Sequence, residues 1–416
     1  MFGKLALQSL LDRKGSVVLS LMAMTFSIFV LLGVEHIRHQ AKESFSNTVS
    51  GVDLIVGART GSLNLLLYSV FRIGSPTNNI RWETFETIAN STMVKWAIPI
   101  SLGDSHKGFR VLGTTTDYFQ YFSYGNQQRL AFAKGKAFNQ TFDVVLGADV
   151  AKKLGYQLGD KLILAHGIAA TSFSMHDDRP FTVIGILAAT GTPVDQTLHV
   201  SLQGIEAIHI DWQQGVKLPG KHYTQTELEQ ADLHPRSITA FMLGLESKMS
   251  TFRVQRNINE YTQEPLLAIL PGVVLSELWQ MMGILENTLL LVSALVFVSA
   301  CLGVSAMLLS SIRERGREIQ LLRIVGAPPF FLFLLIELEA LLITLLSLVL
   351  GAGLLAVVIA MLQDYFMSHF GLHIEMNLFT ENSLYLIIAM ISASLMVAAI
   401  PSFRGYTQSR NLNRMK

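Results

Sequence analysis

The chain has 416 residues, half of them hydrophobic and 15% charged, well below the ~25% usual for a soluble domain. A net charge of +1 excludes a global electrostatic attraction to nucleic acid or to an acidic partner. The single cysteine, Cys301, excludes an intrachain disulfide, so any domain outside the membrane must be held by its own core.

Residues 1–15 carry Phe2, Leu5, Leu7, Leu10 and Leu11 at spacings that suit a short cytoplasmic interfacial helix. The apolar run over 16–34 is long enough to cross a hydrocarbon core of ~30 Å at ~1.5 Å per residue. It is too long for a signal-peptide core, and no small-x-small site follows at Gly33-Val34-Glu35-His36. It reads as a retained anchor, continued as a helical stalk to residue 48.

Residues 49–282 then have ordinary mixed composition. Val52-Asp53-Leu54-Ile55-Val56 predicts a buried strand, and helices are expected over 63–71 and 82–89. Strands over 94–102 and 109–114 predict a hairpin turning at Gly103-Asp104. Next come a strand at Val144-Val145-Leu146, a helix over 148–154, and strands over 161–165, 181–188 and 198–202. Beyond a polar stretch, a strand over 239–245, a helix over 250–261 and a strand over 266–270 return to the opening pattern. The order implies two sub-lobes, one discontinuous (50–115 with 219–275) and one inserted (116–218).

Three further spans are expected over 284–312, 330–361 and 384–400, the last stopped by Pro401; a tail over 404–416 ends the chain. Lys4, Arg13 and Lys14 precede the first span, Arg313, Arg315, Arg317 and Arg323 lie between the second and third, and Arg404, Arg410, Arg414 and Lys416 follow the fourth. Residues 362–383 carry no Lys or Arg. The positive-inside rule therefore puts both termini in the cytoplasm and the large domain outside. The fold class expected is an α-helical membrane protein with four transmembrane helices and a large α+β extracytoplasmic domain between the first two.

The segment Arg313-Glu314-Arg315-Gly316-Arg317-Glu318-Ile319-Gln320-Leu321-Leu322-Arg323-Ile324-Val325-Gly326-Ala327 resembles the cytoplasmic loop of FtsX-like and MacB-like ABC transporter permeases. Glu339-Ala340-Leu341-Leu342 is similar to that family's third-span start. Val145-Leu146-Gly147, Leu154-Gly155, Gly159-Asp160 and Phe181-Thr182-Val183-Ile184-Gly185-Ile186-Leu187 resemble its MacB-type periplasmic domain. Pro328-Pro329 and the C-terminal tail depart from the pattern.

The resemblance implies an FtsX-like permease domain over 283–403 and a place in the bacterial cell inner membrane. It implies a cytoplasmic ABC ATPase subunit as partner, a second permease copy making a homo- or heterodimer, and a periplasmic adaptor or accessory protein. ATP and Mg would belong to that ATPase: this chain shows no Gly-x-x-x-x-Gly-Lys-Ser/Thr loop and is expected to carry no cofactor and no enzyme activity. The function implied is mechanotransmission, serving export or extraction of an amphiphilic cargo such as a lipoprotein, peptide or drug. The alternatives are a signal transducer activating periplasmic cell-wall hydrolases, as FtsX is, or a metal-linked uptake system.

Within 313–324, Ile319 and Leu322 (with Val325) fall on one helical face, flanked by Arg313, Arg317, Glu318 and Arg323. A loop that only satisfied topology would not need that apolar stripe, and the resemblance implies a coupling helix seated on the ATPase. Glu337 and Glu339 lie within the third span; two residues apart is roughly 200° of helix, so they cannot form one acid–base site. Leu63, Leu66, Leu67 and Phe71 belong to a dense apolar run over 61–73 that serves either as core or as a wall for amphiphilic cargo. Of eleven histidines, His36/His39 and His369/His373 have helical pair spacing, but no His-Glu-x-x-His motif or cysteine partner accompanies them. They read as polar loop residues, and no metal or catalytic set is singled out.

Overall fold

The computed structural model describes residues 8, 10–11, 13–167, 179–210, 212–213, 216–217, 232–314, 328–370, 377–378 and 380–411. The chain divides into two compact units, Met1–Ala41 with Met282–Asp364 and Ile374–Lys416, and Lys42–Met281 with Tyr365–His373.

The first unit is built on four helices, α1 (Lys14–Asn47), α2 (Pro271–Glu314), α3 (Pro329–Phe370) and α4 (Glu381–Asn411). Each contains a stretch long and apolar enough to span a membrane. Lipid tails are as apolar as leucine, so the helices associate through small residues and hydroxyls as well as apolar packing. A Cβ on Gly351 of α3 would lie 3.0 Å from the Ile28 side chain and 3.1 Å from the Thr25 carbonyl of α1. Thr344 and Ser394 hydroxyls meet at 2.6 Å between α3 and α4. Val304, Leu308, Ile336, Ala340, Ile343 and Ala398 form the apolar cluster where α2, α3 and α4 converge.

Contrary to the sequence expectation, Pro401 does not stop the fourth helix, which continues to Asn411. Proline frees the carbonyl four residues earlier, and here the Val397 carbonyl accepts a hydrogen bond from Ser305 Oγ of α2 at 3.2 Å. The neighbouring helix removes the penalty that would otherwise end the run.

The second unit is a mixed sheet covered on both faces. Its main strands are β1 (Leu54–Ala58), β2 (Val94–His106), β3 (Phe109–Thr114), β4 (Phe132–Gly135), β5 (Asp143–Leu146), β6 (Phe181–Leu187), β7 (Thr197–Ser201), β8 (Ala240–Leu245) and β9 (Leu266–Ile269), in the spatial order β9-β1-β8-β2-β3-β7-β5-β6-β4. The β3–β7 and β5–β6 pairs are parallel and the others antiparallel. Two short strands, Lys161–Leu162 and Ala165–His166, pair with β6 and β2.

β2 changes partners along its length, and β3 then carries the sheet from the expected discontinuous lobe to β7 in the inserted one. Val94 to Ile100 pairs with β8, and Ser101 to His106 with β3, with a register shift between Leu102 and Ser105. The hairpin turn therefore falls at Lys107-Gly108, where both residues have positive φ (48° and 87°), and not at Gly103-Asp104. Gly103 and Asp104 instead form a bulge within a strand that runs on to His106.

Alternation along the strands sorts side chains into separate cores. Ile55, Ile98, Leu112, Ala240, Met242 and Val145 share one cluster that runs beneath both lobes. On the opposite face Leu54, Val56, Phe241 and Leu243 pack with the helices Trp82–Ala89 and Thr251–Asn259. Val144, Leu146, Leu198 and Val200 form a third cluster with the helix Ala148–Leu154.

Two positions in the inserted lobe carry testable consequences. A Cβ on Gly147, between β5 and that helix, would sit 2.3 Å from the Val194 carbonyl oxygen and 2.4 Å from that of Asp195. Its φ of −65° suits any residue, so the glycine is required by backbone approach alone. Gly147→Ala is expected to destabilise the protein by about 1–3 kcal/mol, read as a lower midpoint of denaturant unfolding in detergent micelles.

His199, in the middle of β7, is fully buried against Tyr118 and Phe119, with Nδ1 3.4 Å from the Val145 carbonyl. Burial, then the charge of Arg72, push its pKa down to about 3, so the folded state holds the ring neutral. Between that value and the unfolded value of about 6.5 the unfolded chain binds more protons, so stability rises with pH there and is lost as pH falls. Acidifying from about pH 7.5 to about pH 5 should remove about 2 kcal/mol through this group. His199→Gln should flatten that part of the pH profile of thermal unfolding.

Candidate functional sites

Of the loop residues expected to meet an ATPase, Arg313 is part of α2 near its C-terminal end. Arg317, Glu318, Ile319, Leu322 and Arg323 lie outside the described residues. The two membrane carboxylates on α3 occupy different environments: Glu339 is 3% exposed, beside the helix cluster at Ala340, whereas Glu337 is partly exposed. On α1, Arg38 holds Glu35 at 2.8 Å and approaches Glu286 of α2 at 3.8 Å, a charged cluster within the first unit. Ser20, Ala23 and Ser27 on α1, with Ser299 and Gly303 on α2, line a groove of small residues.

The apolar run over 61–73, for which core and cargo wall were both open, is largely a core element. It folds as a helix, Ser62–Leu66, continued by a π-helical turn, Leu67–Phe71. Leu66 and Phe71 are buried in the shared core, and Leu63 and Leu67 pack against it. The run lies against β1 where Gly57 has no side chain: a Cβ there would fall 2.5 Å from Leu65. Leu63 and Leu67 keep part of their surface exposed, and Ile73 at the end of the run is exposed.

The histidines are likewise not all loop residues. His199 is a core residue, and His106 closes β2 with its ring between the Ile163 carbonyl (2.6 Å) and the Tyr156 hydroxyl (2.9 Å). Most informative is a set that no local spacing reveals. Asp104, at the β2 bulge and 3% exposed, faces His166 directly across the short strand Ala165–His166. His209, the last residue of the helix Leu202–His209, approaches from the other side. Asp104 Oδ1 lies 3.2 Å from His166 Nδ1 and 3.4 Å from His209 Nε2, and the two imidazoles meet edge to face at 5.3 Å.

Burial alone would raise the Asp104 pKa, but the hydrogen bonds and charges of the two histidines hold it down at about 2. Burial depresses His209, and its bonds to Asp104 outweigh that, leaving its pKa above the ordinary imidazole value. The helix is placed by Ser201, whose Oγ accepts from Gly204 N at 3.0 Å, and its C-terminal end favours positive charge at His209.

Residues 17–261 match the family model of the MacB-like periplasmic core domain, more than half of the chain, and residues 290–410 match that of the FtsX-like permease C-terminal. Among solved structures, the chain is similar to the periplasmic region of MacB from Actinobacillus actinomycetemcomitans, at 11% identity and a TM-score of 0.35, covering 56% of this chain and 94% of that one. It is also similar to the extracellular domain of the noncanonic ABC-type transporter YknZ from Gram-positive bacteria, at 12% identity and a TM-score of 0.30, covering 52% and 98%. No curated protein matches the chain. With four apolar helices and a mixed α/β domain between the first and second, this chain belongs to the MacB-like and FtsX-like family of ABC transporter permeases, as a membrane protein with a periplasmic domain.

Proposed function

We propose that this permease converts ATP hydrolysis on a separate cytoplasmic ATPase into movement of its periplasmic domain. It would do so in the bacterial inner membrane, with both termini in the cytoplasm, as one of two permease copies. The observation that carries the reading is the length of the helices flanking the domain. α1 has 34 residues and α2 has 44, roughly 51 and 66 Å of helix against a hydrocarbon core of ~30 Å. Unbroken helices of that length transmit a displacement with little loss, whereas a loop would absorb it.

The motor contact is the basic segment after α2. Ile319 and Leu322 supply an apolar stripe for a cleft on the ATPase; Arg313, Arg317, Glu318 and Arg323 flank it. ATP and Mg act on that partner. The small-residue groove between α1 and α2 suits close approach by a helix of the second copy. With the 61–73 run largely inside the core, the expectation of an amphiphilic cargo, and of an adaptor to receive it, rests on the family resemblance alone.

Ile319→Asp combined with Leu322→Asp should reduce recovery of the ATPase with the full-length permease by about tenfold or more, two buried apolar contacts being worth ~1.5–3 kcal/mol each. Unchanged co-purification and unchanged ATPase stimulation would overturn the assignment. Two glycines inserted after Ala41 should leave ATPase recovery intact and abolish ATP-dependent movement of the periplasmic domain, measured by distance changes between spin labels. Movement that survives the insertion would rule out transmission through α1.

A further inference from the structure

We infer that Asp104, His166 and His209 form a binding site for a divalent transition-metal ion of the zinc class in the periplasmic domain. The site does not depend on the permease reading. Their ligand atoms all lie within 4.8 Å of one another. The Asp104 Oδ1 separations, 3.2 Å to His166 Nδ1 and 3.4 Å to His209 Nε2, have the length of an ordinary hydrogen-bonded contact and also fit donors sharing one ion. At metal–ligand distances of about 2.0–2.1 Å, two tetrahedral donors stand about 3.3 Å apart.

The arrangement around the ligands points the same way. The His209 ring also bonds the Ile205 carbonyl of its own helix. With an ion bound, the Ile205 carbonyl does what outer partners of metal-bound histidines do, fixing ring orientation and tautomer. Asp104 is held rigidly by the β2 bulge, and its side chain is 4% exposed. That of His166 is 46% exposed and gives the ion its path from solvent.

Two imidazoles and one carboxylate select zinc and its neighbours over Mg²⁺ or Ca²⁺, which prefer all-oxygen sets. Three protein ligands leave a fourth position for water or for a donor from a partner, the pattern of an exchangeable ion rather than a closed structural one. Bound there, the ion ties the end of the helix Leu202–His209 to β2 and to the short strand Ala165–His166.

The test uses full-length protein in detergent micelles, stripped with chelator and titrated with Zn²⁺, with Co²⁺ as the spectroscopic probe. One Zn²⁺ per chain is expected, with a raised unfolding midpoint, visible d–d bands for Co²⁺, and no competition from excess Mg²⁺. His166→Ala, at the most exposed ligand, should weaken binding by about tenfold or more and remove the Co²⁺ bands. Asp104→Asn should do the same, and His166→Ala keeps the test decisive if that buried variant fails to fold. His234→Ala, an exposed histidine outside the cluster, should bind as the unaltered protein does. Absence of stoichiometric zinc, or equal binding by His166→Ala, would overturn the inference.

Discussion

The hydrogen bonding of one long strand organises the periplasmic domain. β2 gives its first half to β8 and its second half to β3, and β3 pairs in turn with β7, so a chain that leaves one lobe to build another returns to the same sheet. The face carrying Ile55, Ile98, Leu112 and Val145 is consequently a single core under both lobes, while the opposite face is divided into two cores with their own helices. Side chains packed at near-crystalline density do not slide independently. The bulge that changes partners along β2 also turns Asp104 toward His166 and His209.

The membrane unit obeys a different constraint. Hydrophobic burial gives no net drive between helices already in lipid, so contact is decided by what lets backbones approach and by which polar atoms find partners. Gly351 admits α1, and the Thr344–Ser394 pair joins α3 to α4. The bond from Ser305 to the Val397 carbonyl lets α4 pass through a proline. That last contact shows why helix ends in a membrane protein depend on neighbours: the same proline, without a donor on α2, would leave a carbonyl unsatisfied in hydrocarbon.

The apolar run over 61–73 and the Asp104 cluster mark opposite limits of local reading. Leu63, Leu66, Leu67 and Phe71 have the composition of a binding wall and of a core alike, because hydrophobicity states how much surface is to be buried and not against what. The glycine that makes room for the run, Gly57, sits on a strand neighbouring it in space. Conversely, Asp104, His166 and His209 stand 62 and 43 positions apart, and only strand pairing and a helix end bring them together.

Features governed by short-range physics were legible in the amino-acid order. Apolar runs longer than the bilayer determined four spans, and period-two and period-3.6 patterns located most strands and helices to within a few residues. Val145-Leu146-Gly147 was visible as a motif, but its glycine is explained only by the Val194 and Asp195 carbonyls that press against it. Tertiary structure alone decided which strands share a sheet, where β2 bulges, that α4 survives Pro401, and which side chains converge at Asp104. All of these are set by partners distant in sequence, whose approach depends on packing that no local window contains.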